Sequence, residues 1–210
     1  QRLFAVLVKQ AHHRDGYEHF VSVETRVVAM QVGDLGLGDG LDHGLGNKLD
    51  IVGNPCKMLE GVEVMVYDIQ DVGTRSYTFI STLGLVMRAC ARNGIEVMVL
   101  DRPNPLGGEK VEGNYVEDGF YSFVSEFRIP YVYGLTVGEL ATLINEEGLN
   151  RGQKGNEPPL KCKLTVIPME GWTRDMTYMD TRLPWILPSP NIPYPQSAID
   201  YPSAGICGEF

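Results

Sequence analysis

An α/β fold built on a mainly parallel sheet is what this sequence predicts, and three observations carry it. Two short apolar runs, residues 62–69 and 95–101, are rich in Val, Ile and Met and stop abruptly at polar residues, as buried strands do. Between them Phe79, Ile80, Leu83, Met87 and Cys90 recur at helical spacing, which predicts a helix over 76–92, and Asn93-Gly94 supplies the stop. Strand, helix and strand in about 40 residues form a crossover unit, whose right-handed path makes the two strands parallel.

The later elements follow the same alternation. Thr136-Val137-Gly138-Glu139 has the form of a capping box, and Val137, Leu140, Ala141 and Ile144 make the apolar face of a helix over 136–147 that ends at Gly148. Residues 150–159 are polar and carry Gly and Pro, as a surface loop does. Residues 162–167 then read as a third parallel strand. The order favours a sheet with helices on both faces. Residues 1–57 differ, because Gly33, Gly36, Gly38, Gly40, Gly44 and Gly46 leave neither a helical nor a strand period. Weak order is expected there, above all over 10–50. Gly36-Leu37-Gly38-Asp39-Gly40 lacks the spacing of a dinucleotide loop.

Composition excludes several classes. The chain has 210 residues, 43% hydrophobic and 21% charged, which is the balance of a globular domain. A net charge of −9 without clustered Lys and Arg argues against nucleic acid as a partner. No run of about 18 apolar residues predicts a membrane span. Cys56, Cys90, Cys162 and Cys207 have no metal-ligand spacing, so neither metal nor cofactor is expected. The start, Gln1-Arg2-Leu3-Phe4-Ala5, carries no secretory signal and reads as that of a fragment or processed product.

Candidate site residues come from segment ends, where open α/β sheets bind ligands. Tyr67-Asp68-Ile69-Gln70-Asp71-Val72-Gly73-Thr74-Arg75-Ser76-Tyr77 follows the first strand, Asp101-Arg102-Pro103-Asn104-Pro105 the second, and Leu187-Pro188-Ser189-Pro190-Asn191 a later apolar stretch. Three such ends predict one shared cleft. Asp68 and Asp71 are close enough to hold a sugar or to shift each other's protonation, or else to cap a helix and pair with Arg75. Asp101 lines the same edge. Arg102 suits a carboxylate through its bidentate fork, or an internal pair with Asp101 or Asp68. Asn104 and Asn191 offer both donor and acceptor, or form turns. Tyr77 and Trp185 can stack on a pyranose or pack in a core. Glu139 belongs to the capping box.

From about Met58 to Phe210 these residues resemble the NamZ-type exo-β-N-acetylmuramidases, a peptidoglycan glycoside hydrolase family formerly catalogued as a domain of unknown function. The resemblance rests on Asp68-Ile69-Gln70-Asp71-Val72-Gly73 with Arg75 and Tyr77, Leu100-Asp101-Arg102-Pro103-Asn104-Pro105, Val111-Glu112-Gly113, Tyr133-Gly134-Leu135-Thr136-Val137-Gly138-Glu139-Leu140-Ala141, and Pro184-Trp185 through Pro190. It implies a Rossmann-like three-layer domain followed by a smaller C-terminal domain, largely absent here, with the cleft between them. It also implies release of N-acetylmuramic acid from non-reducing ends of peptidoglycan fragments, and an exported or cell-envelope setting. A catalytically silent module that binds peptidoglycan or amino sugars is the alternative. Glycoside hydrolysis ordinarily uses two carboxyl groups, for which the matched blocks offer Asp68, Asp71 and Glu209, with Glu112 in reserve. Gln70, Arg75, Tyr77, Asp101, Arg102, Asn104 and Asn191 are the expected substrate-binding residues.

The family's Glu-His-Gly motif, which carries its presumed catalytic glutamate after an early Leu-Phe-Ala-like strand, is not in this sequence; Glu18-His19 is followed by Phe20. The pattern breaks off after Ala5 and recovers near Cys56. Such an abrupt break predicts a reading-frame disturbance across residues 6–55. Retranslating the source DNA in its other two frames should uncover a Glu-His-Gly segment, and its absence from both frames would refute the disturbance.

Overall fold

The structure, a computed structural model, describes the backbone of residues 2–9 and 24–31 together with residues 59, 62–149 and 158–207. Its centre is the expected crossover unit. Strand β3 (Val64–Tyr67) leads through helix α1 (Phe79–Asn93) into β4 (Glu96–Leu100), and the two strands run parallel with Val64 opposite Glu96 and Tyr67 opposite Val99. Helix α2 (Val137–Glu147) then leads to β5 (Leu164–Ile167), which lies parallel to β4 from Val97↔Leu164 to Leu100↔Ile167. On the other flank β1 (Arg2–Lys9) pairs antiparallel with β3 at Leu7↔Met65 and antiparallel with β2 (Glu24–Gln31). The sheet order is β2-β1-β3-β4-β5.

The α/β class and the three parallel strands agree with the sequence reading. Strand β2 does not: it falls within 10–50, where the glycine pattern predicts no regular element. Thr25-Arg26-Val27-Val28-Ala29-Met30 has β-branched residues enough for a strand. Strand β1 is likewise a regular element within the segment 1–57, whose residues 1, 10–23 and 32–57 lie outside the described residues.

Packing explains the crossovers. In β4, Val97 and Val99 are wholly buried while Glu96, Met98 and Leu100 alternate with them in partial exposure. Ile80, Leu83, Met87 and Cys90 of α1 are fully buried, as are Leu140 and Ala141 of α2, and all share one core with Tyr67 and Met65 of β3. Both helices pack on β4 and on each other, so they share a face of the sheet. Each Val, Leu, Ile or Met side chain among them contributes about 1.5–3 kcal/mol by leaving water. Helix α1 ends at Gly94, whose φ of +69° is a conformation that glycine enters without a Cβ clash.

Helix α2 is tied to the end of β4. Its capping box is complete: Thr136 Oγ1 accepts from the Glu139 N–H at 3.2 Å, and Glu139 Oε2 accepts from the Thr136 N–H at 2.9 Å. The Asp101 carboxylate adds to it, accepting from Gly138 N–H at 2.8 Å, from Thr136 Oγ1 at 2.8 Å and from Arg102 N–H at 3.0 Å. A negative charge at a helix N-terminus meets the positive end of the helix dipole.

That approach leaves no room at Gly138, where a Cβ would sit 2.6 Å from Val166 Cγ1 and 2.9 Å from the Asp101 carboxyl carbon. Replacing a helical Gly by Ala ordinarily stabilises by about 0.5–1 kcal/mol. Gly138→Ala is expected to do the reverse, costing ~1–3 kcal/mol. Urea unfolding checks the sign, and a variant more stable than wild type would show that α2 is not wedged against the end of β4.

Candidate functional site

Three chain segments meet at the C-terminal edge of the parallel strands. The segment after β3 carries Asp68, Gln70, Asp71 and Gly73; the one after β4 carries Arg102, Pro103, Asn104 and Pro105; the one before α2 carries Tyr133 and Leu135. All of these but Asp68, together with Val137, line a recess of about 190 Å³, counted with its open mouth. Most of that space is open mouth: the enclosed part is only about 10 Å³, room for about one water-sized group. The recess therefore receives one small group of a larger ligand and leaves the ligand's bulk at the open mouth.

Side chains lock the segments together. Gln70 Nε2 donates to Pro103 O at 2.9 Å and to Asp71 O at 2.8 Å. Asn104 Nδ2 donates to Leu135 O at 2.9 Å while its Oδ1 accepts from Leu106 N–H at 3.0 Å. Gly73, at φ +81°, turns its N–H back to Asp71 Oδ2 at 2.9 Å, and a Cβ there would collide with Asn104 Oδ1. At the mouth, Arg102 Nε donates to Asp68 Oδ1 at 2.6 Å, with both side chains partly open to solvent.

Asp71 is the electrostatic centre. It is 6% exposed, and Tyr133 Oη donates to its Oδ2. Burial raises its carboxyl from the ordinary 3.8 to about 6, opposed by the Tyr133 hydroxyl and the N–H groups of Gly73 and Val72. Burial also pushes the Tyr133 hydroxyl well above its usual range, with the Asp71 charge adding to it, so Tyr133 keeps its proton and donates. Asp71 Oδ1 and Gln70 Oε1, both buried, have no hydrogen-bond partner among the described residues. The arrangement can accept hydrogen bonds inside, carry a proton on Asp71 near pH 6, and meet an anion at the mouth through Arg102.

Of the expected site residues, Asp68, Gln70, Asp71, Arg102 and Asn104 come together here. Among the described residues neither Asp68 nor Asp71 pairs with Arg75, and Arg102 pairs with Asp68 and not with the Asp101 side chain. Asp101 has both oxygens committed to α2 and to the backbone of Arg102. Arg75 is buried, and its Nη1 donates to Asn114 O and Ile129 O, each at 2.7 Å, which fastens loops together. Tyr77 packs edge-on against Phe79 and Tyr201.

The shared cleft also differs in its third wall, which is 133–137 and not the stretch holding Asn191. Asn191 is exposed and does not line the recess. Its neighbourhood instead backs the Asp71 segment: Ile192 and Ala198, from helix α3 (Pro195–Cys207) and the loop before it, bury Val72 with Tyr77, Trp185 and Tyr201. Trp185 is thereby a packing residue, donating Nε1–H to Ile192 O at 3.1 Å. Glu112 is exposed beside Lys110, and Glu209 lies outside the described residues. Tyr133 is the residue whose role the sequence reading missed. It is 62 positions from Asp71, and only its place just before Gly134, at φ +62°, marks it locally. Among the described residues no group of three His, Cys, Asp or Glu is placed to hold a metal ion, and no helix is long and apolar enough to cross a membrane.

Comparison with known proteins matches residues 52–196 to the family described as exo-beta-N-acetylmuramidase NamZ, N-terminal. The chain is similar to the peptidoglycan beta-N-acetylmuramidase NamZ of Bacillus subtilis (strain 168), with 46% identity over 150 residues, 71% of this chain and 34% of that protein. It is also similar to two solved DUF1343 family proteins of Bacteroides fragilis NCTC 9343. One is 55% identical with a TM-score of 0.66, covering 73% of this chain and 38% of the other. The second is 36% identical with a TM-score of 0.61, covering 70% and 38%. The chain thus spans about a third of the length of the relatives it matches.

The raised Asp71 value has a testable consequence for stability. A carboxyl that binds its proton more tightly folded than unfolded favours folding below pH ~4, and that contribution is lost as pH rises through about 6. The gap corresponds to ~3 kcal/mol. Asp71→Asn keeps an acceptor for Tyr133 and Gly73 but does not titrate. Its unfolding free energy relative to wild type should therefore rise by ~3 kcal/mol between about pH 4 and about pH 7. A difference that stays flat across that window would contradict the buried, proton-holding Asp71.

Proposed function

Since the chain belongs to the exo-β-N-acetylmuramidase NamZ N-terminal family, we propose that it is the sheet-bearing part of an exo-acting glycoside hydrolase. The reaction is release of N-acetylmuramic acid from non-reducing ends of peptidoglycan fragments. The observation that carries this reading is the recess itself: a proton-holding carboxyl inside and an arginine at the mouth, both at strand ends.

N-acetylmuramic acid differs from N-acetylglucosamine by a lactyl ether that ends in a carboxylate. Arg102 suits that group. Among the described residues its side chain bonds only Asp68, through Nε, which leaves the two terminal nitrogens to take a carboxylate side by side. Asp68 orients the guanidinium and is the second carboxyl beside Asp71. With a value near neutrality, Asp71 is the group of this pair suited to carry a proton toward a leaving oxygen. Glu209 remains a third carboxyl for this role. A non-catalytic amino-sugar-binding module is the second reading, favoured by the missing Glu-His-Gly segment. Exported or cell-envelope work fits either.

A chromogenic N-acetylmuramic acid glycoside, tested beside its N-acetylglucosamine counterpart, decides between them. Release from the first sugar alone is the expected result; binding without release supports the module, and failure to bind N-acetylmuramic acid overturns both. Arg102→Lys offers a point charge without parallel donors, so affinity for N-acetylmuramic acid should fall roughly thirtyfold, ~2 kcal/mol, with little change for N-acetylglucosamine. Equal loss for both sugars with a lowered melting temperature would reduce Arg102 to a structural partner of Asp68.

A further inference from the structure

The orientation of the Gln70 amide is decided by its neighbours. Its nitrogen lies against Asp71 O and Pro103 O, and backbone carbonyls only accept, so the opposite assignment would set oxygen against oxygen. Oε1 is thereby a fixed acceptor. The side chain is 6% exposed, and Oε1 is without a partner among the described residues. Two other polar side chains of the recess have a donor engaged elsewhere, Tyr133 Oη on Asp71 and Asn104 Nδ2 on Leu135 O, while the terminal nitrogens of Arg102, which bond nothing among the described residues, stand at the mouth. A buried acceptor left alone costs about 1–3 kcal/mol, and in native structures such a group is met by ordered water or an ion or serves a function.

We propose that the recess is a subsite for a neutral N–H donor, the 2-acetamido group of the amino sugar, with Gln70 Oε1 as the acceptor that reads it. This deepens, and rests on, the amino-sugar reading above. An amide N–H brings to Oε1 a donor atom with no available lone pair, its carbonyl acceptor pointing the opposite way across the planar group. Leu135, Val137 and Pro105 supply apolar wall for the acetyl methyl. A sugar with oxygen in place of that N–H keeps its shape and loses the bond, and sites that hydrogen-bond a ligand group discriminate strongly against analogues lacking it.

The test uses the unaltered chain, because Gln70 also fastens two loops. Affinities are measured by calorimetry for N-acetylmuramic acid and for its isostere carrying a 2-O-acetyl ester in place of the 2-acetamido group, at about pH 5 and about pH 8. The pH arms separate Gln70 from Asp71, which faces Tyr133, Tyr67 and Tyr77 with the Arg102–Asp68 pair at the mouth. The expected result is at least tenfold weaker binding of the ester at both pH values. Equal affinity of the two ligands overturns the subsite, and a preference confined to the higher pH transfers the acceptor role to Asp71 and overturns the assignment to Gln70. No binding of either sugar overturns the amino-sugar reading itself.

Discussion

The parallel register of β3 and β4 is the constraint on which the site depends. Tyr67 lies opposite Val99, so both strands expire at nearly the same level and hand Asp68–Gly73 and Asp101–Asn104 to one edge. A slip of one residue would turn each strand's buried set outward. The buried alternation of Val97 and Val99 against α1 and α2 forbids that slip. Core packing therefore sets where the polar groups stand. Asp101 extends the constraint, because the carboxylate that ends β4 also fixes the start of α2 and, through it, the segment that presents Tyr133.

Two kinds of charge share the recess, and their energetics differ. The Arg102–Asp68 pair is partly solvated, and such pairs contribute about 0–1 kcal/mol. Turning Arg102 toward a ligand carboxylate therefore costs the fold little. Asp71 is enclosed and supported by a hydroxyl and by backbone N–H groups; its environment is part of the fold, and its protonation responds to whatever enters. An open anion contact beside a closed proton-holding group is an arrangement for gripping a ligand by one end while presenting a rigid interior to another.

How much of this was legible in the sequence depends on the distance between partners along the chain. Helix α2 was legible because Thr136 and Glu139 are three apart, and the end of α1 because Asn93-Gly94 is a local signal. Asp68, Gln70, Asp71 and Arg102 were legible because strand ends place polar residues at a cleft. Arg75 and Tyr77 have the right chemistry for a ligand, yet the acceptors of Arg75 lie at positions 114 and 129, and the ring partner of Tyr77 at 201. No local pattern announces such contacts. Tyr133 was hidden for the same reason, and Asp101 was read as a ligand residue because its helix partners are 35 and 37 positions away. Strand β2 was obscured by the glycines that follow it, whose absence of period dominated the reading of the whole segment.

The central claim is that burial, moderated by Tyr133, holds the Asp71 carboxyl near neutrality. Carbon-13 NMR titration of the Asp71 side chain in the wild-type chain and in Tyr133→Phe tests it directly. The midpoint should lie at about 6 in the wild type and move higher in the variant, since losing the hydroxyl removes a bond that favours the ionised form. A wild-type midpoint near the ordinary value of 3.8, unmoved by Tyr133→Phe, would contradict the account.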